Sequence, residues 1–150
     1  MPRQEPKMRV MKRDDIDAVV VIDTLVSKQE RREYYQRKIE SVVSNPHNIN
    51  TSLVAELDGK IVGFIMGDVY FGEFGIPEAS ATIDTIGVSP DFQNRGVAHD
   101  LMDQFLTNMK AVGVSKVYTL VNWDDFALEK FFSRHKFVPS KRINLELQMP

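Results

Sequence analysis

The segment SPDFQNRGVAHDLMDQFLTNMKAVG, Ser89 to Gly113, constrains the fold more than any other. Val97, Leu101, Phe105 and Met109 recur every four residues, and Met102, Leu106 and Val112 widen the stripe. That period predicts an amphipathic helix from Arg95 to about Val112, stopped by Gly113, whose apolar side must be covered. The polar turn Gln93-Asn94-Arg95-Gly96 lies directly before it. Before that comes SATIDTIGV, Ser80 to Val88, an apolar strand. A strand, a short turn and a helix N-terminus are thus fixed in one unit.

The flanking segments fit a mixed α/β domain of β-α-α-β-β-β-α-β-α-β order. A strand is expected at Lys7 to Met11. A helix capped by Asp14 or Asp15 should run to about Val26, with Ile16, Val19, Val20, Ile22 and Leu25 as its apolar stripe. A second helix, Glu30 to Val43, opens with the charged run ERREYYQRKIE and is broken at NPHN. That run reads either as a solvated face or as the wall of a substrate groove with Tyr34 or Tyr35 facing in. Leu53, Ala55 and Leu57 alternate with more polar residues, and Asp58-Gly59 is a hairpin turn signal. The return strand, Ile61 to Tyr70, is apolar at nearly every position, as in a strand covered on both faces. GEFGIPE reads as a loop and SKVYTLV as a strand. DDFALEKFFSRHKF reads as a helix with Leu128, Phe131, Phe132 and His135 on one side. INLELQM reads as an alternating, antiparallel closing strand.

Length and composition bound the function. The 150 residues fit one domain, with residues 1–6 as a loose leader, and 43% hydrophobic and 27% charged residues are globular values. A formal net charge of -2 argues against broad electrostatic binding to nucleic acid. No cysteine is present, which removes disulfides, thiolate metal sites and a cysteine nucleophile. No apolar run approaches the roughly 18 residues of a membrane span. His47, His99 and His135 are too widely spaced to suggest a metal site. The expectation is a cytoplasmic, metal-free protein, monomeric or homodimeric.

The first N–H groups of a helix lack internal partners, and the helix dipole adds positive potential there. Gly96 lets a ligand approach the backbone, Arg95 adds a permanent charge, and Gln93 and Asn94 add donors. The turn is neither a Walker loop nor a GxGxxG dinucleotide motif. On the residues alone it reads equally as a phosphate site or as an ordinary helix start.

The arrangement IDTIGVSPDFQNRGVA resembles the GNAT N-acetyltransferase superfamily. Its signature is a strand with a bulge, then Gln/Arg-x-x-Gly-x-Gly/Ala, then a helix. Gln93, Gly96 and Ala98 take the motif positions. The resemblance spans nearly the whole chain and is similar to single-domain ribosomal-protein alanine acetyltransferases. It implies a central, mostly antiparallel sheet with a β-α-β core and helices on both faces. It implies acetyl-CoA as cosubstrate and an amine acceptor, small molecule or protein. The pyrophosphate would lie on the N–H groups from Asn94, Arg95, Gly96, Val97 and Ala98 to His99. The pantetheine would run beside Ile86, Gly87 and Val88, with the Val88 N–H facing the thioester carbonyl. Arg95 and His99 also admit plain helix-surface roles.

Towards the C-terminal end the pattern departs from the family. Asp125 takes an Asn position and Leu128 an Ala position. Phe131 and Phe132 stand where Phe-Tyr is usual, and Lys136 replaces a glycine. Phe132 cannot protonate a departing thiolate as that tyrosine is proposed to do; Tyr118, Tyr34 or water would have to. Asp125 caps its helix and is a candidate pantetheine contact.

An attacking amine must be neutral, so a base is expected. Asp84, ionisable in an apolar strand, is the first candidate, its alternative role being a structural carboxylate. Glu73 and Glu78 are second choices. Glu73, Trp123, Asp124 and Tyr34 are candidates for the acceptor side, with Phe74 between its two glycines, and acidic groups there favour a cationic amine. Non-catalytic readings also stand: an acyl-CoA-binding or sensing module, or a protein-interaction domain.

Overall fold

The computed structural model describes residues 4–44 and 51–150 and divides into two compact units, Met1–Thr119 and Leu120–Pro150. His47 and the expected NPHN helix breaker lie outside the described residues.

The first unit is a five-stranded sheet in the order β1-β2-β3-β4-β5. Its strands are β1 (Lys7–Val10), β2 (Ser52–Leu57), β3 (Lys60–Phe71), β4 (Ala79–Val88) and β5 (Lys116–Thr119). The first four pair antiparallel and β5 joins β4 in parallel. Asp58 and Gly59 form the β2–β3 turn, both with positive φ, as its sequence requires. β2 carries more burial than its alternation suggests: Ser52, Leu53, Val54, Ala55 and Leu57 are all buried, so both of its faces are covered.

Helices α1 (Ile16–Ser27) and α2 (Arg32–Ser44) cover one face of the sheet. Val19, Val20, Ile22, Tyr35 and Ile39 pack with Val54, Phe64 and Met66 in one cluster. Leu25 departs from the expected stripe and is exposed, because the helix turns that position outward. Helix α3 (Val97–Ala111) covers the opposite face with Val97, Leu101, Met102, Phe105 and Met109 buried, as the four-residue period required. Its approach is set by small residues: a Cβ on Gly63 would meet Leu101 and Val97 at 3.1 Å.

In the second unit, helix α4 (Phe126–Arg134) is capped by Asp125, whose carboxylate accepts the Leu128 N–H at 3.1 Å. The expected closing strand INLELQM is absent: residues 143–149 form no strand, and Ile143, Leu145, Leu147 and Met149 are exposed. Alternation is necessary for a strand but not sufficient. The segment also needs a neighbouring strand for its hydrogen bonds, and none of the described strands pairs with it.

Candidate active site

The site begins with a change of parity in β4. Met66 of β3 pairs with Thr85, but its neighbour Gly67 pairs with Ile83, so Asp84 is an extra residue, a β-bulge. Ala81 and Ile83 before the bulge share the α3 face with Ile86 and Val88 after it, by their pairing with Val69, Gly67, Ile65 and Gly63. In a regular strand Asp84 would stand on a different face from Ile83 and Thr85. The bulge leaves Asp84 on the α1/α2 face and turns Thr85 onto that face beside it. The apolar pattern 81, 83, 86, 88 carries this switch and is the signal by which the bulge can be placed from sequence.

β5 accompanies β4 only from Ser80 to Ile83, while β3 follows it to Val88. No described strand pairs with the outer edge of Thr85–Val88. The Ser89 N–H donates to the Val62 carbonyl at 2.8 Å. Extending that register makes Gly63 and Val88 a pair that exchanges no hydrogen bonds, so the Ile86 and Val88 N–H groups point away from β3. The open edge therefore offers backbone donors and acceptors spaced for an extended ligand. Gly87 is closed on the other side, where a Cβ would fall 2.8 Å from the Phe64 ring.

A 3-10 turn (Pro90–Phe92) joins this edge to α3. Gln93 Nε2 donates to the Val88 carbonyl at 3.1 Å, so this side chain braces the turn against the strand end. Asn94 and Gly96 adopt left-handed φ of 61° and 80°, a conformation open to Asn and Gly. Arg95 is exposed, its guanidinium 5.2 Å from the centre of the Phe92 ring. Gly96 is the N-cap of α3 with no side-chain cap, and its carbonyl accepts the first intrahelical bond from Asp100. The Val97 and Ala98 N–H groups therefore lack intrahelical acceptors. His99 lies half-buried in the same first turn.

Around Asp84 the structure gathers residues that sequence reasoning did not. Lys38 Nζ of α2 donates to Asp84 Oδ2 at 2.6 Å and stands 3.6 Å from Asp68 Oδ2 of β3. The three side chains are 27%, 22% and 24% exposed in the order Lys38, Asp84, Asp68. Thr82 Oγ1 contacts Asp84 Oδ1 at 3.4 Å. Burial pushes the Asp68 carboxyl up, and the neighbouring Asp84 charge adds to this against the opposing pull of Lys38. Burial works against the Lys38 charge, but Asp84 and Asp68 outweigh it and its pKa rises. Lys38 sits in the run that reads as a solvated face, and Asp68 in a strand that reads as nearly all apolar. A carboxylate interrupting IMGDVYF is the sequence signal for the second.

Tyr34, 38% exposed, lies near this cluster, its hydroxyl pKa raised chiefly by partial desolvation. Tyr35 is a core residue instead, donating its hydroxyl to Asp23 at 2.8 Å. Glu73 opens a 3-10 turn (Glu73–Gly75), and Phe74 and Glu78 are exposed. In the second unit Trp123 is 83% exposed, Asp124 is exposed, and Phe132 is buried with its ring 5.1 Å from that of Phe137.

The bulged strand, its open edge and the uncapped helix behind it form the architecture of a coenzyme-A-dependent acyltransferase. The sequence profile of the acetyltransferase (GNAT) family matches residues 15–137, and the chain belongs to that family. It is an acetyl-CoA-dependent acetyltransferase. An acetyltransferase of Pectobacterium atrosepticum is 28% identical over 135 residues, covering 87% of this chain and 86% of its own. An aminoglycoside N-acetyltransferase solved with CoA has a TM-score of 0.79 at 16% identity, covering 99% of this chain and 98% of its own. Ribosomal-protein-alanine N-acetyltransferase from Brucella melitensis biovar Abortus has a TM-score of 0.73 at 14% identity, covering 96% of this chain and 99% of its own. At these identities the two structures speak for the fold. No described helix is long and apolar enough to cross a membrane.

Proposed function

We propose that this enzyme transfers the acetyl group of acetyl-CoA to a primary amine by direct attack, with Asp84 as base and the Val88 N–H at the carbonyl oxygen. The position of Asp84 carries this reading: an acidic side chain stands on the α1/α2 face at the bulge, beside the stretch where the β4 edge opens. The pantetheine would extend along Ile86–Val88, and the diphosphate would rest on the turn and the first N–H groups of α3. Gln93 serves that cradle by bracing it, Arg95 by its charge.

The acceptor arrives as an ammonium, since an alkylamine of pKa about 10.4 is mostly protonated at neutral pH. Asp84 takes its proton. The free amine attacks the thioester carbonyl, a C–N bond forms, and the Val88 N–H stabilises the oxygen as it gains charge. The C–S bond then breaks, and the proton that the attacking nitrogen must lose to become an amide passes by way of solvent to the departing thiolate. Phe132 supplies none. Leaving as a free thiolate at pH 7 sacrifices about 1.5 pK units, about 2 kcal/mol or a thirtyfold rate effect, which solvent or Tyr118 can make up. Most of the remaining acceleration comes from holding amine and thioester together.

The acceptor class we infer is a cationic amine, because the carboxylates Asp84 and Asp68 outnumber Lys38 in this cluster. Acetyl-CoA-dependent thiol release is to be measured with spermidine, benzylamine and an alanyl-terminated peptide. Turnover of at least one, falling about a hundredfold or more in Asp84→Asn, supports the reading. An Asp84→Asn enzyme within threefold of wild type, with the same pH profile, removes Asp84 from the base role.

A further inference from the structure

We propose that Lys38 and Asp68 are positioning residues that set the pH at which Asp84 works, so that the three side chains act as one proton-holding unit. The proposal rests on the assignment of Asp84 as base. Its ground is geometric. The β3–β4 register brings two carboxylates to the same face, since Asp68 pairs with Thr82, two residues before Asp84, and one ammonium from α2 reaches both, at 2.6 Å from Asp84 and 3.6 Å from Asp68. One cation cannot neutralise two carboxylates. The cluster therefore keeps one uncompensated negative charge in a half-buried place, and that charge can hold an incoming proton.

The groups around the cluster come from every element packed on it. α2 brings Lys38 and Tyr34, and β3 brings Asp68. β4 brings Thr82, and β5 brings Tyr118, paired with Thr82. From α1 comes Asp23, held by Arg31 and Tyr35. α3 lies on the other face, against Gly63 and Gly67. Lys38 is thus the cation that bonds Asp84, and Asp68 is the second carboxylate sharing it. Like charges in one site push protonation to higher pH and an opposite charge draws it lower. In the working cycle the proton leaves the acceptor ammonium for Asp84 and passes on to solvent, with Lys38 remaining charged.

Two substitutions therefore act in opposite directions. Lys38→Met leaves two carboxylates facing each other, so the acid limb of kcat/KM moves to higher pH by about one to two units. Asp68→Asn leaves a simple ion pair, so the limb moves to lower pH by about one unit. Lys38→Arg keeps the charge and restores the limb towards wild type. The amines are those of the panel above. The side-chain carboxyl carbons of ¹³C-aspartate-labelled protein, titrated by NMR and assigned with Asp84→Asn and Asp68→Asn, give a second reading that needs no acceptor. Retained thermal transitions show that each variant folds.

Opposite displacements of the limb, matched in the NMR titration, are the expected result. The proposal is overturned if both limbs stay within about 0.2 pH unit of wild type, if they move in the same direction, or if the NMR midpoints are unmoved. If Asp84→Asn itself keeps wild-type turnover and profile, the base assignment fails and this proposal falls with it. If Asp84→Asn loses the limb while Lys38→Met and Asp68→Asn do not move it, only the coupling is wrong.

Discussion

At the scale of single residues, the same kind of side chain has opposite fates. Asp14 or Asp15 was expected to cap α1; Asp15 takes the N-cap position, but its carboxylate makes no cap bond there. It accepts the Lys12 N–H at 2.7 Å and a two-armed contact from Arg9, at 2.8 and 2.7 Å. Burial alone would raise its pKa, but Arg9 and the Lys12 N–H outweigh it and hold the carboxyl below its ordinary value. A depressed folded-state pKa contributes stability that is present above the unfolded value, near 4, and lost as pH falls through the folded one. Asp15→Asn is therefore expected to cost about 2–3 kcal/mol at pH 7, roughly 5–10 °C in melting temperature. The gap from wild type should narrow below about pH 4. Thermal melts from pH 3 to 7 check this, and a gap independent of pH would show that the charge on Asp15 contributes nothing. The sequence offers an acid before a helix. It does not show that Arg9, six residues earlier, would take it.

At the scale of elements, what could be read from sequence divides by whether a pattern is local. α3 was legible because its apolar residues follow the helix period and the face they must cover follows from it. The hairpin was legible because Asp58-Gly59 suits its turn. The bulge left a trace in the parity of Ala81, Ile83, Ile86 and Val88, but its consequence depends on β3, which no local pattern reports. Likewise Lys38 meets Asp84 across 46 positions of sequence. The closing strand failed in the converse way, its pattern being correct and no described strand pairing with it. Gly67, opposite the bulge, tests this element directly. A Cβ there would lie 2.4 Å from the Thr82 carbonyl oxygen and 2.8 Å from the Phe105 ring. A backbone oxygen cannot swing aside as a side-chain end can. Gly67→Ala is expected to cost about 2 kcal/mol or more, read as a lowered denaturation midpoint. Turnover should also fall, since β4 must shift at the bulge that aims Asp84. Unchanged stability would mean that the sheet and α3 adjust freely at this point.

At the scale of the whole molecule, the described strands leave an edge of the sheet unpaired and α3 starts without a side-chain cap, both in one unit. Neither is favourable in isolation: the outward backbone groups from Thr85 to Val88 have no described partner strand, and α3 starts without a side-chain cap. A cosubstrate that satisfies both should stabilise the fold well beyond its local contacts. At about 100 times its dissociation constant a ligand adds about 2.7 kcal/mol, several degrees in melting temperature for a chain of this size. Acetyl-CoA is expected to produce that shift in wild type. Arg95→Glu places a negative charge on an exposed position beside the proposed diphosphate site and should reduce it, with little change in the ligand-free melt. Gly96→Glu adds both a charge and a strained left-handed residue, so it should lower the ligand-free melt and abolish the shift. Pantetheine, which keeps the arm and lacks the diphosphate, separates the two halves of the site: most of the shift should be lost with it. A full acetyl-CoA shift in both variants would place the diphosphate elsewhere and leave Gln93 to Ala98 as nothing more than the start of a helix.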